Sequence, residues 1–149
     1  MMVGGAQGLV LVLFMATGYF SVVQGAQCNV TGVWVNTLGS VLKLSLQGSQ
    51  LRGSLRSSVE LYPKAAGDQM TGKLMGLIGQ GEQPTFTMST NWKGGSVTAW
   101  VGQCFLMSGC PVLKTMWLLR SKASLDNNWK ATRIGEDVFH PQKKCIVNV

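Results

Sequence analysis

Between residues 32 and 139 the chain repeats one pattern: a short stretch with apolar and polar residues on alternate positions, then a turn. The clearest stretch is Val41-Leu42-Lys43-Leu44-Ser45-Leu46, with leucines on one parity and Lys43 and Ser45 on the other. Side chains on a strand point to opposite faces in turn, so this is a strand with one buried and one wet face. Eight segments rich in Val, Thr, Leu and Trp are expected as strands, at Gly32–Asn36, Ser40–Leu46, Gln50–Ser57, Gln69–Ile78, Thr85–Trp92, Ser96–Phe105, Val112–Ser121 and Asn128–Phe139. The links between them are short and built from turn residues: Thr37-Leu38-Gly39, Gln47-Gly48-Ser49, Lys93-Gly94-Gly95, and Met107 to Pro111. The exception runs from Ser58 to Asp68 and carries Pro63 and Gly67, which marks it as a candidate functional loop. Without a helical segment of good length between strands, βαβ units are disfavoured. The fold class is all-β and antiparallel, an up-and-down barrel or a sandwich. An eight-stranded barrel has an interior that can hold one small ligand.

Only the first part of the chain departs from this pattern. No Lys, Arg, Asp, Glu or His precedes Lys43, and Leu9 to Ala16 is an unbroken apolar run. That run is too short for the ~20 residues of a membrane span. Small residues follow it, with cleavage points after Gly25 or Ala26, so residues 1–26 read as a secretory signal peptide and not as a membrane anchor. Residues 27–140 then form the barrel domain and 141–149 a tail. Charged residues make up 13% of the chain, about half the usual share, and 46% of it is hydrophobic, which excludes disorder as the main state.

An exported chain can hold disulfides. The cysteines are Cys28, Cys104, Cys110 and Cys145, and spacing does not choose among the three possible pairings. They lack CxxC spacing, and His140 is the one histidine, so no metal site is expected. Asn29-Val30-Thr31 is an N-glycosylation acceptor. The formal net charge is +7, but the basic residues are scattered along strands and turns and form no nucleic-acid footprint. An enzyme is not expected, because His140 stands near the tail without a nucleophile beside it.

The polar residues near the five tryptophans are the candidate site. Asn36 and Ser40 flank a tight turn, while Ser96, Thr98 and Trp100 share one face of a strand. If that face is inward, it gives a pocket with aromatic walls and a few placed hydrogen-bonding groups. If it is outward, the hydroxyls meet solvent and the tryptophans are ordinary core.

Cys28-Asn-Val-Thr-Gly-Val-Trp-Val-Asn-Thr-Leu-Gly-Ser40 resembles the first hairpin of the avidin and streptavidin family. Gln83-Pro-Thr-Phe86, Asn91-Trp-Lys93, Gly102-Gln-Cys-Phe105, the run from Val112 to Arg120, and Trp129-Lys-Ala-Thr-Arg133 match in the same order. The resemblance covers Cys28 to Phe139. It implies an eight-stranded antiparallel up-and-down barrel, a homotetramer, that binds biotin at one open end as a ligand and not as a catalytic cofactor.

The resemblance also implies roles. Asn36 and Ser40 match donors to the ureido oxygen of biotin, and Ser57 and Asp137 match acceptors of its N–H groups. Thr98 matches a donor to the thioether sulfur, and Ser96 a contact to the carboxylate end. Trp92, Trp100 and Trp117 match the aromatic walls, with Leu119 in the apolar lining. Trp129 matches a residue that closes a neighbouring subunit's pocket, and Cys28 and Cys104 match a disulfide. Donors on the ureido oxygen and a carboxylate near its N–H groups both favour the charge-separated form of the urea, and charge-assisted bonds are about twice as strong as neutral ones.

Two departures from the family pattern stand out. Leu55 occupies the place of a tyrosine that supplies a third donor to the ureido oxygen, which predicts weaker binding unless Tyr62 reaches inward. Glu136 replaces a small apolar residue or histidine at a subunit interface near Met116 and Ile134. Facing its own two-fold mate, its charge predicts a tetramer that loosens at high pH, unless it turns to solvent or pairs with Arg133. Cys110 and Cys145 are additional to the family's pair. With Leu55 altering the pocket, a secreted carrier for another small apolar ligand is the alternative function.

Overall fold

The computed structural model describes residues 25–145; most of the expected leader, residues 1–24, lies outside the described residues. Eight strands follow in order: β1 Gly32–Asn36, β2 Val41–Gln47, β3 Gln50–Arg56, β4 Thr71–Ile78, β5 Thr85–Asn91, β6 Val97–Met107, β7 Cys110–Arg120 and β8 Thr132–Pro141. Each pairs antiparallel with the next, and β8 returns to β1 to close an up-and-down barrel. Closure is short: Trp34 faces Pro141, Val35 faces His140 and Asn36 faces Phe139.

The period of two decides what goes inside. Leu42 and Leu44 of β2, Leu51 and Leu55 of β3, Leu74 of β4, Phe86 and Met88 of β5, and Trp100 and Cys104 of β6 all turn inward and are buried. Lys43 and Ser45 take the opposite face and are exposed. Fully burying one leucine of this set is worth about 1.5–3 kcal/mol relative to leaving it exposed. Trp34 is buried at the base of the barrel, and its indole N–H donates to the Val30 carbonyl at 3.0 Å. A buried N–H thus keeps a partner.

Several boundaries differ from the sequence reading, and turn chemistry explains two of them. Met107 to Pro111 is not an open link, because β6 runs to Met107 and β7 starts at Cys110. Only Ser108 and Gly109 lie between, with φ of 51° and 78°. Two consecutive positive φ values match the twist of the flanking strands and let both extend. The last strand does not start at Asn128. A 3-10 helix spans Leu125–Lys130, and β8 begins at Thr132. Ser124-Leu125-Asp126-Asn127-Asn128 offers turn-forming side chains instead of alternation, and the Asn127 amide donates to the Ser124 hydroxyl at 3.0 Å. Trp129 therefore sits on this helix, not on a strand.

Two disulfides tie the chain together. Cys28 bonds Cys104 and Cys110 bonds Cys145, each with Cα atoms 5.8 Å apart. Both lie toward the end of the barrel that carries the β2–β3, β4–β5 and β6–β7 turns. The segment before β1 crosses that end, where the Cys28 N–H donates to the Glu82 carbonyl at 2.7 Å.

Candidate functional site

An up-and-down barrel puts alternate connections at the same end. The end opposite the disulfides gathers the β1–β2 turn, the long segment between β3 and β4, the β5–β6 turn and the β7–β8 connection. A cavity of about 260 Å³ opens between them. It receives Asn36, Ser40, Ser57, Trp92, Ser96, Thr98, Trp100, Trp117, Leu119 and Asp137. Thr98 and Trp100 are buried at 2% and 3% exposure, so the face they share with Ser96 points inward. Trp129 is not in this lining and is 81% exposed. Leu38, Val59, Glu60, Leu61, Ala65, Ala66 and Arg133 also line the cavity and were not among the sequence candidates. Most of these belong to the loops, where no alternation exists to assign a face.

Polar groups at the floor are held before any ligand arrives. The Asn36 carbonyl oxygen accepts from the Leu38 and Ser40 backbone N–H groups at 3.1 and 2.8 Å, which fixes the β1–β2 turn. Its amide nitrogen donates to Asp137 Oδ1 at 2.9 Å. Trp92 donates its indole N–H to Thr98 Oγ1 at 2.8 Å, locking two wall residues together. Ser57 donates to the Val59 carbonyl at 2.6 Å. The Trp100 Nε1 atom is buried and makes no hydrogen bond.

The Trp117 wall depends on a glycine. Gly135 faces Trp117 across β7 and β8, and a Cβ at Gly135 would overlap the indole ring. Any side chain there would displace the ring from its place in the wall.

Burial raises the Asp137 carboxyl above its ordinary value, while the Asn36 amide and then the Trp100 indole oppose that rise. A raised folded value means that the native chain holds this proton more tightly than the unfolded chain does. The associated stability is present at low pH and is lost as pH rises through the folded value. At neutral pH the ionised group burdens the empty barrel. Asp137→Asn is therefore expected to raise the melting temperature of the ligand-free protein at neutral pH, with the gain shrinking as the pH falls through the carboxylate range. Calorimetry across pH reads this, and a constant difference would contradict it.

The long segment is organised. Glu60 accepts the Lys64 N–H at 2.9 Å and the Ala66 N–H at 3.3 Å. Gly94 of the β5–β6 turn donates its N–H to the Ala65 carbonyl at 3.2 Å. A Cβ at Gly94 would come 2.5 Å from that carbonyl, so the close approach requires glycine. Exposed Asp68 pairs with Lys93 and Lys64, each at 3.3 Å, and these ammonium groups hold its carboxyl below the ordinary value.

Leu55 is buried at 4% exposure in the cavity lining, whereas Tyr62 is 59% exposed and not among the lining residues. The pocket thus lacks a tyrosine hydroxyl. Glu136 is exposed beside Met116 and forms no ion pair among the described residues; Arg133 instead donates to Ser121 Oγ at 3.4 Å.

The Avidin family model matches residues 24–142. The chain is 36% identical over 118 residues to "Avidin" of Gallus gallus, covering 76% of this chain and 78% of that protein. It is 37% identical over 119 residues to "Avidin-related protein 4/5" of Gallus gallus, covering 76% and 77%. Among solved structures, "Crystal structure of Xenavidin" matches with a TM-score of 0.70 at 36% identity, covering 77% of this chain and 98% of that one. "X-ray structure of biotin binding protein from chicken" matches with a TM-score of 0.71 at 34% identity, covering 78% and 98%.

Proposed function

The chain belongs to the avidin family, and from that premise we propose that it binds biotin in the open end of its barrel through Asn36, Ser40, Ser57, Trp92, Ser96, Thr98, Trp100, Trp117, Leu119 and Asp137. It is a binding protein and not an enzyme. The observation that carries the assignment of residues is their convergence on one cavity, with three indoles around a polar floor. In this reading Asn36 and Ser40 donate to the ureido oxygen, and Ser57 and Asp137 accept from the ureido N–H groups. Thr98 meets the sulfur and Ser96 the carboxylate end. The Asn36 amide has a second hydrogen beyond the one bonded to Asp137, so one side chain can serve both the ligand and the carboxylate. The apolar walls exclude water and strengthen each of these bonds.

The protein is further read as a secreted homotetramer, with residues 1–26 removed as a signal peptide, 27–140 as the barrel and 141–149 as a tail. Two disulfides and the apolar leader support export. Val101, Met116, Leu118 and Ile134 form an exposed apolar patch on adjacent strands of β6, β7 and β8, which supports association. Glu136 lies in that patch, and its repulsion weakens the contact. Trp129, exposed on its 3-10 helix, is read as closing a neighbouring subunit's pocket. Asn29 is exposed, which supports its use as a glycan site.

Adding biotin is expected to shift and quench tryptophan fluorescence as Trp92, Trp100 and Trp117 lose water. The melting temperature should rise in a saturable way. No change at millimolar biotin would overturn this reading and favour a carrier of a small apolar ligand, for which buried Leu55 speaks.

A further inference from the structure

We infer that Ser58, which is absent from the cavity lining, is a positioning residue that aims the Ser40 hydroxyl at the ligand through a reversible hydroxyl–hydroxyl bond. The inference rests on the reading of Ser40 as a donor to a cyclic urea oxygen. Ser40 is buried at 4% exposure, and its Oγ accepts the Ser58 backbone N–H at 3.0 Å. The same atom lies 3.0 Å from the Ser58 hydroxyl, and either oxygen can be the donor. A serine hydroxyl has one proton and two acceptor positions. When Ser58 donates through both its N–H and its O–H, both acceptor positions of Ser40 are filled. The Ser40 proton then has nowhere to go but the cavity.

In the empty site the bond can run the other way. Ser40 then donates to Ser58, and Ser58, on the exposed side, gives its own proton to water. A polarised urea oxygen is a better acceptor than a hydroxyl, so its arrival turns the Ser40 proton inward and reverses the bond. Neither hydroxyl loses a partner in the exchange. In the bound arrangement two donors on Ser40 polarise its O–H, and hydrogen bonds in a chain strengthen one another. Ser58 so recovers part of what the pocket loses by having Leu55 in place of a hydroxyl donor.

Titration calorimetry tests this with two ligands: biotin, and the analogue in which sulfur, a weak acceptor, replaces the ureido oxygen. Ser58→Ala is expected to weaken biotin by about 3- to 10-fold, with less than a two-fold effect on the sulfur analogue. Ser58→Thr, which keeps the hydroxyl, should restore biotin binding to within two-fold of the parent. Equal weakening of both ligands would mean that Ser58 merely supports the loop, and would overturn the inference. So would parental affinity in Ser58→Ala, or failure of Ser58→Thr to recover binding where Ser58→Ala loses it. If the parent binds no biotin, the functional reading falls and this inference with it. If the parent binds biotin and Ser58→Ala changes nothing, only the inference falls.

Discussion

Replacing Cys28 and Cys104 together by alanine is expected to lower the free energy of unfolding by up to about 4.5 kcal/mol and the melting temperature by on the order of 15 °C. The bridge joins positions 76 residues apart, and the entropy it removes from the unfolded chain grows with the logarithm of that loop. The Cys110–Cys145 bridge closes a loop of 35 residues, for which the same relation gives about 3.8 kcal/mol. Alanine is the apt replacement because both cysteines of the first bridge are almost fully buried and a serine hydroxyl there would need a partner. Both bridges sit at the end of the barrel away from the cavity, so the part of the population that remains folded should bind biotin with parental affinity. Calorimetric melting with and without ligand separates the two readouts. A bridge removal that leaves the melting temperature in place, or that loosens biotin in the folded protein, would contradict this account.

Leu55→Tyr is expected to tighten biotin binding by about 5- to 150-fold, the return from one added donor worth 1–3 kcal/mol. Leu55 is a core residue that also lines the cavity, so the added ring has the cavity to extend into. Tyr62 does not reach this position, which leaves the third donor missing in the parent. Competition titration against the parent measures the gain. No gain would remove Leu55 from any explanation of affinity, and a loss would mean that the ring occupies the space of the ligand.

The barrel was legible because its strands obey one rule. A single parity, such as Leu42 and Leu44 against Lys43 and Ser45, fixes both strand and face. Resemblance then nominated the residues at strand ends, and the cavity collects them. Face could not be read from alternation alone for Ser96, Thr98 and Trp100, since a period of two defines two faces without saying which is inside. The loops were less legible. Glu60 and Ala66 line the cavity in a segment where the Glu60 carboxylate accepts the Ala66 N–H, and no sequence period encodes that bond. Ser58 is illegible for a similar reason. Its one signal is being a hydroxyl next to Ser57, and its partner Ser40 lies 18 residues away. The 3-10 helix is hard to separate from β8 in the sequence because Trp129 suits a strand, although the Asp and Asn residues before it favour a turn.

The short seam between β1 and β8 has a consequence for how the molecule comes into being. Once Asn36 has met Phe139, the ring of described strands is closed and neither β1 nor β8 is left as a free edge strand. Until then two edges stand open, and closing them must bring together segments about a hundred residues apart, which is slow to find by diffusion. The hazard is thus confined to a newly made, unsealed chain. A finished barrel is resistant to edge-to-edge aggregation by its topology, whereas refolding from denaturant should reward dilution and an oxidising medium, in which the bridges near the far end can hold the ends in place while the seam forms.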